Sequence, residues 1–412
     1  MATDITPYVS DRRFFGHPRG LATLFFTEMW ERFSFYGLRP LLILFMAAAL
    51  TEGGFGFDRV QASSIVGIYA ASVYLASLPG GWVADRLLGL RRAIFVGAAL
   101  ITSGHLSVGL SGLASPAVGK IFFFLGLVLI VLGTGLLKPN ISAIVGELYP
   151  EGGARRDAGF SIFYMGINLG AFLGQIITGL LGETIGWHYG FGAAGVGMLF
   201  GLVVFGLSAR HTLGPIGADV VRHPDAAVQA RQEKTVKISV ATGLGVVALV
   251  FALAASGALT LDAQRIGQSF TFVLVGLALG YFAYIFIAGG LTKDEMKRVG
   301  VIIVLFFFAA IFWAAFEQAP TSLNLFARDF TDRGMGGFTI PATWFQSVNS
   351  AFIIILAPVF AALWVGLAKR GFDFSSPTKF ALGLFLAGVG FLLMIFAANK
   401  VVASGGTALV SP

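Results

Sequence analysis

The chain has 412 residues, of which 56% are hydrophobic, 14% aromatic and only 12% charged, with a formal net charge of +7. Soluble domains carry about 25% charged residues, whereas apolar runs of about 20 recur throughout this chain, the pattern of an all-α polytopic membrane protein. A transmembrane barrel is excluded because its spans are about 10 residues of alternating polarity, and the absence of cysteine excludes disulfides, thiol chemistry and cysteine metal sites.

Arg12, Arg13 and Arg19 precede an apolar stretch from Leu21 to Ala49. It is too long for a signal h-region and lacks a small-residue cleavage pattern, so it reads as uncleaved with a cytoplasmic N-terminus. At ~1.5 Å per residue it is roughly 43 Å long, more than the ~30 Å hydrocarbon core, and so spans with tilt or protrudes. Glu28, Glu31, Arg32 and Arg39 lie within it, and at about 100° per residue they share one face with Phe35 and Tyr36. An ionisable group deep in a bilayer costs about 3 kcal/mol or more, so it normally faces a partner or a polar cavity and marks a transport or proton path. Snorkelling explains one residue near an interface, but it does not suit acids and bases clustered through to Arg39.

The remaining spans are predicted at 61–83, 93–112, 119–147, 158–182, 189–208, 238–257, 270–290, 299–326, 341–367 and 379–399, eleven in all with 21–49. With the N-terminus inside, the cytoplasmic connections hold 19 of the 28 Lys and Arg residues, as the positive-inside rule requires. The basic excess is therefore a topology signal, and no nucleic-acid partner is needed to explain it. The four predicted regions are an N-terminal six-helix bundle (1–208), a polar cytoplasmic linker (209–237), an inserted helix hairpin (238–290) and a C-terminal bundle (291–412) with three helices. The hairpin carries no intramembrane charge and reads as peripheral. The span after it carries Glu317, so the first span and 299–326 read as equivalent positions of two repeated halves, with the site near the midplane between them.

Gly81-Trp-Val-Ala-Asp85-Arg86-Leu-Leu-Gly89-Leu-Arg91-Arg92, between the second and third spans, resembles the cytoplasmic signature of the major facilitator superfamily. A carboxylate near a helix end beside a basic loop can latch in one state and release in another, which makes Asp85 and Arg86 gating candidates. Glu28-x-x-Glu31-Arg32-Phe33-Ser34-Phe35-Tyr36-Gly37 and Phe163-Tyr164-x-x-Ile167-Asn168-x-Gly170 resemble the proton-coupled oligopeptide transporter family, bacterial type. Lys138 in GLLKPN, Phe316-Glu317-Gln318 with Ser322, and Phe345-Gln346-Ser347-x-Asn349 extend the match over nearly the whole chain.

The resemblance implies two six-helix bundles, a bacterial inner-membrane location, a monomer, and proton-driven uptake of di- and tripeptides with protons as the coupling ion, no other cofactor and no metal. Carried over by motif, it implies that Glu28, Glu31 and Arg32 form a proton-coupling group paired with Lys138, and that Glu317 titrates opposite Arg39. It further implies that Arg39 and Lys138 meet the peptide carboxylate, with Tyr36, Tyr74, Tyr164, Asn168 and Asn349 around the site. Phe35 stands where the family usually has tyrosine and lacks that hydroxyl. The chain also ends at Pro412, before the last three helices of the family's pattern, which include the acid expected to hold the peptide amino group.

From the residues alone, Lys138 far inside a helix requires a partner, and the carboxylates of the first span are the obvious ones. Tyr164, Asn168 and Gln175 form a polar stripe on an otherwise apolar helix, suited to a site or to interhelical bonding. Three intramembrane acids face three bases, a balance that suits a zwitterion. No H-E-x-x-H motif and no nucleophile beside a base is present, so an enzyme is not indicated, and interleaved signs do not make a channel's selectivity ring. The competing reading is a facilitator-type proton symporter for another small solute: nitrate, a sugar or a drug.

Overall fold

The computed structural model describes residues 4–220, 222–372 and 374–411. A short helix α1 (Thr6–Val9) leads into α2 (Arg19–Ala47), α3 (Arg59–Val83), α4 (Leu90–Leu110), α5 (Pro116–Glu147), α6 (Gly153–Thr184) and α7 (Trp187–Leu213). The helices α8 (Ala226–Ala255) and α9 (Ala263–Ala288) form the hairpin, and α10 (Lys293–Phe316), the short α11 (Asn324–Phe330), α12 (Trp344–Lys369) and α13 (Ser376–Ala403) follow. A two-residue ladder, β1 (Gly334–Met335) against β2 (Phe338–Thr339), lies between α11 and α12. Among the described residues, ten helices are long and apolar enough to cross a membrane. The helix α2 is outside that set because Glu28, Glu31, Arg32 and Arg39 interrupt its apolar run. Counted with it, they are the eleven expected spans of a multi-pass membrane protein.

The helix α2 is the most enclosed element: it packs against α3, α6 and α7 and is buried at nearly every position from Gly20 to Met46. Its approach to α6 depends on glycine. A methyl at Gly174 would lie 2.9 Å from the Cα of Phe33, and Thr178 Oγ1 donates 2.9 Å to the Gly37 carbonyl. Small residues at such contacts replace the hydrophobic drive that is missing between helices in lipid. Pro40, Pro79, Pro139 and Pro358 sit inside α2, α3, α5 and α12, where each removes a backbone donor from its helix.

The linker is shorter than predicted. The helix α7 continues to Leu213 and α8 already begins at Ala226, capped by the Asp225 side chain on the N–H groups of Ala227 and Val228. Residues 209–213 and 226–237 are thus helix extending past the apolar run, since hydropathy marks the membrane boundary and not the helix end. The hairpin is peripheral: α9 packs on α3, with no buried residue of its own. At the gating motif, α3 passes into a wide turn at Ala84–Leu88 and Gly89 takes a φ of +77°, a left-handed conformation that favours glycine. Asp85 and Arg86 make no ion pair among the described residues. The linker is held instead by Arg91, which donates from its guanidinium to the Gly214 carbonyl and from its backbone N–H to Gly217 at 2.8 Å.

Hydrogen bonds and ion pairs joining the first six spans to the later helices gather toward the end remote from the N-terminus. Asn324 Nδ2 donates 2.8 Å to the Pro40 carbonyl, Arg59 pairs with Asp329 at 2.8 Å, and Trp344 Nε1 donates 2.9 Å to the Ile176 carbonyl.

Candidate functional site

Between the two groups of helices lies a cavity of about 1250 Å³. Its first wall comes from α2, which contributes Glu28, Arg32, Tyr36 and Arg39; Tyr74 of α3 and Lys138 of α5 adjoin them. Tyr164, Asn168 and Gln175 line it from α6, while Glu317 and Asn349 face them from the later helices. Every predicted substrate residue therefore reaches one space. Glu31 does not. It is 1% exposed and lies behind the cavity wall.

The charges are sorted into separate groups. Arg32 Nε contacts Glu28 Oε1 at 2.7 Å and Glu31 Oε2 at 2.8 Å, with all three side chains buried. Arg39 donates from Nη2 to Glu317 Oε2 and so joins the halves at the cavity. The Phe35 ring separates the arginines, its centroid 5.4 Å from the Arg32 guanidinium carbon and 5.3 Å from that of Arg39. A ring beneath a desolvated guanidinium stabilises it by about 1–2 kcal/mol. Phe35 is 2% exposed and packs inward, so its missing hydroxyl does not alter the cavity wall.

Lys138 corrects the expected pairing. No carboxylate among the described residues lies within ion-pair distance of it; its Nζ sits 4.1 Å from the centroid of the Tyr74 ring. Arg32 already occupies both first-span glutamates, which leaves Lys138 as a cation facing the cavity. Asn168 donates 2.9 Å to the carbonyl of Tyr164 one turn back, a bond within its own helix, while Gln175 Oε1 is buried without a partner among the described residues.

Sequence reasoning missed Glu183. Its carboxylate at the end of α6 accepts from the N–H of Ala342 (2.8 Å), the N–H of Thr343 (2.9 Å) and the hydroxyl of Thr343 (2.8 Å), and Arg333 lies 3.5 Å away. The N–H groups at the start of α12 thus receive a carboxylate from the other half, where the helix dipole favours negative charge. The only sequence signal was an acid at the end of a span. Outside the membrane, His17 Nδ1 lies 2.8 Å from the Tyr149 hydroxyl. Burial, then the charges of Arg155 and Arg12, hold His17 below the usual histidine range, and burial pushes the Tyr149 phenol up to about 12.

A membrane-spanning chain with a cavity between two helical halves, lined by opposed intramembrane charges, belongs to the class of secondary transporters. More particularly, the chain belongs to the POT family, whose sequence model (PTR2) matches residues 91–409. It is 48% identical over 401 residues to the peptide transporter YePEPT of Yersinia enterocolitica, covering 97% of this chain and 78% of that one. To a di-/tripeptide transporter of Lactococcus lactis it is 38% identical over 391 residues, covering 93% and 76%. A crystal structure of a peptide transporter POT in complex with sulfate is similar with a TM-score of 0.87 at 41% identity, covering 100% of this chain and 81% of that one.

Proposed function

We propose that this chain is a proton-coupled symporter that imports di- and tripeptides by alternating access, as a monomer in a bacterial inner membrane with its N-terminus in the cytoplasm. The observation that carries the reading is Lys138: a cation in the cavity with no ion pair among the described residues, beside an arginine already matched by Glu317. A peptide carboxylate arriving at Lys138 also competes for Arg39. Glu317 then loses its counter-charge, and a carboxylate in a low-dielectric site without one binds a proton more readily. Peptide and proton each favour the other's binding, the reciprocity a symporter needs. The family membership and the names of its relatives support the substrate class. In this orientation the contacts of Glu183, Asn324 and Asp329 close the outer side.

The test is uptake into proteoliposomes driven by an imposed pH gradient, with unlabelled dialanine, alanine, nitrate and a sugar as competitors. Competition by dialanine alone is expected, because the ends of a free amino acid are too close together to span the cavity. Competition by nitrate or sugar in place of dialanine makes the chain a facilitator for that solute, and uptake indifferent to a collapsed proton gradient removes the coupling.

A further inference from the structure

Along α2 and α3 several buried polar atoms have no hydrogen-bond partner among the described residues. Glu31 offers a carboxylate that meets only the Arg32 charge, 2.8 Å away at Oε2, and Arg32 offers its Nη2, Arg39 its Nε, and Tyr69 of α3 its hydroxyl. An unmatched buried polar group costs about 1–3 kcal/mol, so native structures hold few of them, and a cluster calls for a functional explanation. Tyr69 is 4% exposed and does not line the cavity. Its ring stacks on Phe35 at 6.5 Å and 29°, and Phe35 is the ring flanked by Arg32 and Arg39.

Phe35 makes the direct route along α2 a wall of carbon, from Arg32 with the Glu28 and Glu31 carboxylates on one side to Arg39 and Glu317 on the other. The Tyr69 ring, which carries the buried hydroxyl, stacks against that wall. The charged groups acting on it are Arg39, Glu31 and Arg32 from α2, and Lys138 from α5 and Glu317 after α10 face the adjoining cavity. A phenol both donates and accepts, and where polar atoms stand beyond direct reach a water bridges them.

We propose that Tyr69 is a further residue of the proton path, passing the proton through bridging water between Glu31 and the Arg39–Glu317 pair. The inference rests on the proton-coupled reading above. When Glu31 is protonated, its O–H bond breaks and a new O–H bond forms on the Tyr69 side, while the original Tyr69 proton leaves through water and forms an O–H bond at Glu317. One proton leaves the first acid and one arrives at the second. Tyr69 is neutral before and after, and no electrons change hands.

Tyr69→Phe removes one oxygen and keeps the ring stack. In proteoliposomes the variant is expected to exchange labelled for unlabelled dialanine at near the wild-type rate, while pH-gradient-driven accumulation falls about tenfold or more. Its melting temperature should stay close to wild type, because the hydroxyl has no hydrogen-bond partner among the described residues. Wild-type accumulation by folded Tyr69→Phe overturns the assignment. Should that variant fail to fold, 3-fluorotyrosine at position 69 keeps the shape with a more acidic phenol. A shifted pH profile of accumulation supports the relay, and an unshifted one overturns it. Wild-type protein that ignores the pH gradient overturns instead the reading on which the relay rests.

Discussion

Arg39 and Glu317, 278 positions apart, form one ion pair across the substrate cavity. One comes from the first span and the other follows α10, so the bond exists only while the two halves are together at this level. In the proposed symport it links the outer contacts to the groups that would meet peptide and proton.

Glu317→Gln mimics the protonated acid. Peptide exchange across the membrane should persist at a rate comparable with wild type, while accumulation against a gradient is lost, because protonation no longer changes the strength of the Arg39 contact. Labelled dialanine in exchange and in pH-driven modes separates the two, and uphill accumulation at the wild-type level refutes the role of Glu317.

Lys138 stands on the Tyr74 ring and outside the carboxylate network, so removing it breaks no buried ion pair. Lys138→Ala is therefore expected to abolish uphill uptake and to weaken dialanine binding about tenfold or more, about 1.4 kcal/mol, with little change in thermal stability. A loss of stability on the scale of a broken buried pair, about 3–5 kcal/mol, would show that Lys138 balances Glu28 and Glu31 after all. Tyr74→Leu, which removes the ring face, should reproduce part of the binding loss, and Tyr74→Phe should spare it.

Glu183→Ala deletes the acceptor for two N–H groups and a hydroxyl at the start of α12, bonds worth about 1.5–3 kcal/mol each when one partner is charged. The outer side should open more often. The chain has no cysteine, so a single cysteine placed at Ser350 in the cavity wall reports directly. Its reaction with an impermeant thiol reagent added from outside should accelerate severalfold in the Glu183→Ala background, and an unchanged rate would place the outer seal elsewhere.

His17 and Tyr149 seat the N-terminal segment beside α2. With a histidine held below its usual range, the folded state favours neutral imidazole. The sign follows: stability from this contact is present above the ordinary value of about 6.5 and is lost as pH falls below it. Thermal unfolding in detergent should show an acid-side decrease in wild type that is reduced in His17→Gln, and identical pH profiles for the two would dismiss the contact as a contributor.

The charged face of the first span was legible because a membrane leaves so few ways to hold an ion: Glu28, Glu31, Arg32 and Arg39 had to share a polar environment. The spans followed from hydropathy for the same reason. The ends of α7 and α8 were not legible, since Arg210, Arg231, Lys234 and Lys237 carry a polar composition that suits a water-exposed helix as well as a loop. The partner of Lys138 depends on which cation reaches the carboxylates first. Arg32, one turn from Glu28, does so within its own helix. Glu183 capping α12 is a relation between residues 159 positions apart, and no local pattern encodes it.

Coupling of peptide and proton is tested most directly by loading proteoliposomes with a pH-sensitive dye at equal pH on both sides and adding dialanine outside. The lumen should acidify on dialanine addition and show no response to alanine, and the response should disappear in Glu317→Gln. Dialanine entry without any movement of protons would contradict symport through this site.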